Sequence, residues 1–413
     1  MSLQLFRVTT TNMKTSIQKI LGILVTVVLI GGMVYLRAMQ NYTNQNYRNS
    51  NFFVFWLSGR LLTDGESPYD PGQWRAGHEL YGSTNLREAI FLYPLPLTVF
   101  MIPFGLFTVD EAYLGWQILS QILIAIVIFA LLNKWQKTEY NRLFIPIMLF
   151  LLFFGPIYLS LQIGSIGTLT LIILFAVIIL LEKNQSFAAG ALLALTMLKP
   201  PQGLPILFLI GIWLLARKDW KAIVGIILGG IILWVIGMSI DPSWVNKFLH
   251  SGEVAFDRRL GFQSNIWSFS YLLCNKEQNC SFALGGILSL LLLGSTAYFL
   301  WRNHAKSTIW QVFNIVIPIA FVTTIYLWGY DQILYVIPIV WIIGTLVERT
   351  KSYLYAFIFL IVLDLFSFYA LVQQATTDKD LWSLGTTIIV LGMVLGLMVW
   401  NRAKPIDKPS APA

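Results

Sequence analysis

Apolar runs, most of them 15 to 21 residues long, recur from one end of the chain to the other, separated by short polar turns. Thirteen stand out, at residues 17–36, 92–108, 112–132, 143–161, 165–181, 186–198, 203–216, 221–240, 283–301, 309–327, 333–347, 352–372 and 382–400. At 1.5 Å per residue, about 20 residues cross the roughly 30 Å hydrocarbon core of a bilayer. The pattern predicts an all-α polytopic membrane protein. Basic residues gather in alternate turns: Lys134 with Lys137, Lys183, Arg217 with Lys218, Arg302 with Lys306, Arg349 with Lys351, and Arg402 with Lys404. The positive-inside rule assigns those turns to the cytoplasm and places both ends of the chain there. Thirteen full crossings would separate the ends, so one run is expected not to cross. Residues 93–107 are the expected exception, because they are short and carry Pro94, Pro96 and Pro103. About twelve transmembrane helices remain.

The longest polar insertion, residues 37–90, falls between the first two runs. Within it, Asn51 suits a helix N-cap, because its side-chain oxygen can accept from the first-turn N–H groups. Phe52, Phe53, Phe55, Trp56, Leu61 and Leu62 make the following helix apolar, with Arg60 as its charge, and Asp64-Gly65 ends it. Too short to span, it is expected to lie in the membrane interface. The whole reads as one membrane domain, residues 1–403, with a first extracytoplasmic loop at 37–90, a second at 241–281, and a polar, Pro-containing, disordered tail at 404–413.

Composition agrees: 57% of the 413 residues are hydrophobic, 12% are charged, and the net charge is +8. The positive charge follows membrane topology and is not read as a nucleic-acid footprint. Cys274 and Cys280, the two cysteines, lie in one outer loop and are candidates for a disulfide, with a pair of free thiols as the alternative. His78, His250 and His304 are too scattered for a metal-ligand spacing, and no metal or cofactor is implied.

The unusual polar features all fall on the outer side: residues 51–71, Gln162-Ile163-Gly164-Ser165, Lys199-Pro200-Pro201-Gln202, the 241–281 loop and Trp328-Gly329-Tyr330-Asp331. One site at the outer membrane boundary is implied. Six stretches carry a resemblance: NFFVFWLSGRLLTDGESPYDP at 51–71, Tyr93-Pro94-Leu95-Pro96-Leu97, Leu161-Gln162-Ile163-Gly164, Leu198-Lys199-Pro200-Pro201-Gln202, Gly261-Phe262-Gln263-Ser264, and Gly329-Tyr330-Asp331-Gln332-Ile333-Leu334. In this order the chain resembles the GT-C superfamily of membrane glycosyltransferases, and within it family 87, the polyprenyl-phosphate-mannose-dependent transferases. The resemblance implies a GT-C-like bundle, a mannose-like sugar carried on a polyprenyl phosphate, a lipid or glycan acceptor reached from outside, and inversion at the anomeric carbon.

The family places an aspartate, the general base, where this chain has Asn51. An amide cannot take the acceptor's proton. The chain is therefore an inactive member, a substituted variant, or an enzyme that uses another carboxylate. Asp64, Glu66, Asp70 and Asp331 are the candidates for that role, although the first three equally suit a solvated turn and Asp331 an N-cap. Lys199, followed by two prolines that bar its helix from continuing, is the first candidate to hold the donor phosphate; the bland alternative is a snorkelling lysine. Arg258, Arg259 and Arg60 are the others. Gln162, Gln202, Gln263, Ser264, Asn265, Tyr93 and Tyr330 are candidates for sugar or acceptor contacts, or for satisfying helix ends. Asp364, inside an apolar run, is costly there and suggests an ion pair or a proton path. A carrier or flippase for a lipid-linked sugar, or a catalytically dead partner protein, are the competing functions.

Overall fold

The computed structural model describes residues 46–84, 90–134 and 144–403, together with Tyr35, Ala38 and Met39. The first apolar run and the 404–413 tail lie outside the described residues.

The described chain is all-helical. After a 3-10 turn at Asn46–Asn49 come α1 (Asn51–Thr63), α2 (Pro71–Leu80), α3 (Leu95–Gly105), α4 (Val109–Lys134), α5 (Phe144–Phe153), α6 (Gly155–Gln162), α7 (Gly167–Glu182) and α8 (Ser186–Ala194). A second 3-10 turn, Leu195–Leu198, leads into α9 (Pro200–Ala216), α10 (Trp220–Ile240), α11 (Trp244–Arg259), α12 (Ile266–Leu273), α13 (Gln278–Arg302) and α14 (Ile309–Thr323). A third, Gly329–Tyr335, runs into α15 (Val336–Thr350), followed by α16 (Leu354–Thr377) and α17 (Ser383–Ala403).

Six of these helical stretches are long and apolar enough to cross a membrane: Val109–Asn133, Trp220–Ile240, Gln278–Arg302, Gly329–Thr350, Leu354–Thr377 and Ser383–Asn401. Shorter apolar helices accompany them, including Gly167–Glu182, Pro200–Ala216 and Ile309–Thr323. Together they make a multi-pass membrane protein. The Gly329–Thr350 stretch is buried from Gly329 to Val347 and forms the centre of the bundle. On the periphery, α10 turns Ile227, Ile231 and Trp234 outward, α13 turns Leu290, Leu291 and Tyr298, and α16 turns Leu365 and Phe368. An apolar exterior of this kind is stable only against lipid.

Two local features differ from the sequence expectation, and the helix in the 93–107 run is as short as expected. Residues 143–161 form two helices, because Phe154 leaves the helical conformation and Pro156, in the first turn of α6, cannot donate back into the preceding turn. The run at 93–107 yields α3, whose 11 residues extend about 16 Å, half a bilayer core. Most relevant to the site, Ser50 and not Asn51 occupies the N-cap of α1, with extended backbone and no side-chain cap bond, so Asn51 is the first helical residue. Its side chain is thereby free of capping.

The apolar helix α1 is buried in protein along most of its length. Residues Phe52 to Gly59 and Leu61 are all buried. It crosses α3 so closely that a Cβ on Gly59 would sit 2.5 Å from the Met101 carbonyl oxygen, and one on Gly105 2.6 Å from the Arg60 nitrogen. Aromatic rings fill the remaining space: Phe55 against Tyr93 at 4.7 Å, Trp74 against Phe91 at 5.4 Å, and Tyr47 stacked on Tyr113 at 4.4 Å. Tyr47 and Arg48 both bind Asp110 at the start of α4, the latter at 2.8 Å, which ties this loop to the bundle. α2 is capped by Asp70, whose Oδ1 accepts from the Gly72 and Gln73 nitrogens.

Candidate functional site

Three chain segments converge beneath the α1 loop. Pro200 and Pro201 occupy the first turn of α9, where their missing N–H groups cost nothing. They start a helix here, and the kinked residue before them, Lys199, is directed inward. Lys199 is 3% exposed, so it does not snorkel as the sequence allowed. Its ammonium binds the Asp331 carboxylate, which is wholly buried. Asp331 is the third residue of the Gly329–Tyr335 turn, and its Oδ2 accepts from the Trp328 backbone nitrogen at 3.2 Å, so both carboxylate oxygens are engaged. The Tyr330 ring centroid lies 5.3 Å from the Lys199 Nζ, a cation–π distance. The Tyr330 hydroxyl faces the Asn51 side chain. Asn51 Nδ2 is buried with no hydrogen-bond partner.

Lys199 and Asn51 border a cavity of about 630 Å³, with Asp331 and Tyr330 packed against Lys199 outside its wall. Asn51 and Val54 of α1, Tyr93, Lys199, and Leu204 and Phe208 of α9 form part of its wall. Phe248, Leu249, Gly252 and Glu253 of α11 form another part, and residues 323–326 complete it. The lining is mainly apolar, with a few polar groups, as in sites that take largely hydrophobic ligands.

Of the residues singled out from the sequence, the fold therefore brings together Asn51, Tyr93, Lys199, Tyr330 and Asp331. Others lie elsewhere. Arg60 pairs with Asp64 at 3.0 Å and donates to the Gly105 carbonyl at 3.4 Å, so both Arg60 and Asp64 belong to the α1–α3 crossing and neither lines the cavity. Gln162 ends α6 and its carbonyl accepts from the Tyr113 hydroxyl at 3.0 Å. Gln202 is fully buried outside the cavity wall, with neither amide atom bonded. Gln263 Oε1 accepts from Asn265 Nδ2 at 3.0 Å and from the Leu327 nitrogen at 2.9 Å, while Asn265 Oδ1 caps α12 through the Ser268 nitrogen at 2.9 Å. With Ser264, whose nitrogen donates to the Leu327 carbonyl at 3.2 Å, they staple the approach to the Asp331 turn. The side chains of Arg258 and Arg259, at the end of α11, lie outside the described residues. Cys274 and Cys280 are joined by a disulfide. For Asp364, half-buried on α16, no ion pair is found among the described residues.

Two acidic residues at the site escaped the sequence reading. Glu253 lines the cavity from α11, and a helical wheel could have found it, since it shares a face with Phe248, Leu249 and Gly252. Asp380, in the turn before α17, is fully buried behind Asp331, accepting from the Gly329 nitrogen and, at 2.5 Å, from the Ser383 hydroxyl. Burial pushes its carboxyl up to about 7, against the pull of those hydrogen bonds. No periodicity points to it.

Arranged this way, a buried cation beside a long apolar cavity can hold an anionic head group whose tail is hydrocarbon. A family model for glycosyltransferase family 87 matches residues 91–322, more than half of the chain, and that stretch contains Lys199, Glu253 and most of the cavity wall. No curated protein and no solved structure matches the chain. On the family match, the chain belongs to glycosyltransferase family 87 and is a membrane glycosyltransferase.

Proposed function

We propose that the protein transfers a single mannose-like sugar, with inversion, from a polyprenyl phosphate to a lipid or glycan acceptor at the extracytoplasmic face of the cell membrane. The observation that carries this reading is the buried Lys199–Asp331 pair at the wall of a mainly apolar cavity. An ammonium has three donors, and Asp331 takes only part of that capacity. The rest faces a phosphate whose charge grows as the glycosidic bond breaks, which is where fixed positive charge accelerates the reaction. Leu204, Phe208, Leu249 and Ile325 line the cavity and are solvent-accessible, so a polyprenyl chain entering it meets mainly apolar side chains. Asn51, whose side chain faces the Tyr330 hydroxyl, lines the cavity where its amide can reach a sugar or phosphate oxygen.

In this reading about twelve helices cross, both termini are cytoplasmic, and α3 enters the membrane without traversing it. A reporter fused after Asp110 that read cytoplasmic would refute that topology. The donor assignment is tested with the purified protein in lipid nanodiscs and radiolabelled polyprenyl-phosphate mannose. Lys199→Met is expected to weaken donor binding at least about tenfold, the size of one lost charge-assisted hydrogen bond. Unchanged affinity would remove Lys199 from the phosphate site.

A further inference from the structure

We propose that Glu253 is the general base of the transfer, taking the proton from the acceptor hydroxyl in place of a carboxylate at position 51. The inference rests on the glycosyltransferase reading above. Displacement at the anomeric carbon requires a group beside the donor that can accept that proton, and the cavity wall limits the choice. Its polar side chains are Asn51, Tyr93, Lys199, Glu253, Thr323, Thr324 and Tyr326. The amide is not basic. The ammonium of Lys199 is bound to Asp331, the Thr324 hydroxyl donates to the Pro201 carbonyl, and the Thr323 hydroxyl donates to the Ile319 carbonyl at 2.8 Å. Phenols and alcohols are in any case poor bases near neutrality.

Glu66 and Asp364 do not line the cavity, and the other carboxylates near the site are held by other groups. Asp331 has both oxygens bonded and no exposed surface. Asp64 holds Arg60, Asp70 caps α2, and Asp380 holds Gly329 and Ser383. Asp241, which precedes α11, binds Lys247 at 2.7 Å and Ser243 at 2.6 Å. Glu253 is the one carboxylate among the lining residues, it is exposed, and it has no hydrogen bond or ion pair among the described residues. Its place on α11 suits the task. Phe248, Leu249 and Gly252 share its face and line the same cavity, so the carboxylate stands at the edge of an apolar wall with a path to water. An acceptor arriving from outside can therefore meet it.

The step balances without a further reactant. The acceptor oxygen forms a bond to the anomeric carbon as its proton moves to Glu253. The bond from that carbon to the phosphate oxygen breaks, and its electron pair leaves on polyprenyl phosphate, whose second negative charge faces Lys199. Glu253 then returns the proton to water. A base on α11 and an amide on α1 also explain how the family's aspartate position can be lost while the phosphate site is kept.

The test uses the full chain in nanodiscs containing membrane lipid extract as acceptor, with radiolabelled polyprenyl-phosphate mannose, and scores both donor bound and sugar transferred. The unsubstituted chain is expected to transfer. Glu253→Gln should bind donor as before and lose transfer by roughly 10²–10⁴-fold, the usual contribution of a general base. Glu253→Asp should recover part of the rate. Asn51→Asp placed in the Glu253→Gln chain should restore transfer, because a carboxylate then returns to the other wall. Transfer by Glu253→Gln at the unsubstituted rate would overturn the proposal, and so would transfer seen only when Asn51→Asp is present; both would leave the glycosyltransferase reading standing. Donor bound but no transfer by any of the four chains would overturn both.

Discussion

Lys199 and Asp331, 132 residues apart in the chain, form an ion pair in which the side chains are 3% and 0% exposed. Such a pair gains strongly from its short contact and loses strongly from desolvation, so its net contribution to stability is small while the cost of breaking it is large. Asp331→Ala leaves an ammonium buried without its partner and should destabilise by about 3–5 kcal/mol. The double substitution Lys199→Met with Asp331→Leu should cost much less than the sum of the two singles. Chemical unfolding in detergent micelles measures the cycle, and additive losses would mean that the pair does not act as a unit.

The α1–α3 crossing depends on two missing side chains. A Cβ on Gly59 meets backbone of α3, and one on Gly105 meets backbone of α1, so neither can be relieved by a rotamer change. Gly59→Ala and Gly105→Ala should each cost about 1–3 kcal/mol by overpacking. Because α1 carries Asn51 and Val54 into the cavity, donor binding should weaken with them. Ala at Gly115, where nothing lies within 4 Å of the added carbon, is the control and should be neutral in both measurements.

The Cys274–Cys280 bond closes a small loop between the end of α12 and the start of α13, away from the cavity wall. Loop-closure entropy for so short a loop is worth roughly 2 kcal/mol. Reduction, or Cys274→Ser with Cys280→Ser, should lower the melting temperature by a few degrees and leave donor affinity unchanged. A loss of binding would place this loop in the site.

The existence of the helices was legible because a chain in lipid must satisfy its backbone within each segment, which forces long apolar runs. Segment lengths were less so. The break at Phe154 turns on Gly155-Pro156, which reads like any proline within an apolar run. Membership of the family was legible from short polar motifs at helix ends. Their roles were not, because a polar side chain at a helix end can bind ligand or staple backbone with the same residue types. Gln263, Ser264 and Asn265 staple, whereas Asn51 and Tyr93 line the cavity. The Lys199–Asp331 contact is a matter of tertiary packing alone, and Asp380 reaches the site through a turn between two spans, where an acid ordinarily reads as solvated.

The buried Asp380 carboxyl makes the stability of the fold depend on pH. Its carboxyl is pushed from the usual value of 3.8 to about 7, chiefly by burial and further by the nearby Asp331 charge, while the Ser383 hydroxyl and the Gly329 and Ser264 hydrogen bonds pull the other way. Between those two values the folded chain holds a proton that the unfolded chain has released. Stability must therefore fall as pH rises from about 4 through about 7 and level off above it. Ionised Asp380 also stands behind Asp331 as a second negative charge and pulls on the same turn, since a Cβ on Gly329 would already lie 3.0 Å from its Oδ1. Asp380→Asn keeps the size and an acceptor for the Gly329 N–H but cannot ionise. It should flatten the decline between pH 4 and 7 in a micelle unfolding series, leaving stability at pH 8 equal to or above that of the unsubstituted chain. An unchanged slope would mean that Asp380 does not titrate in this range, and that another buried acid sets the pH response.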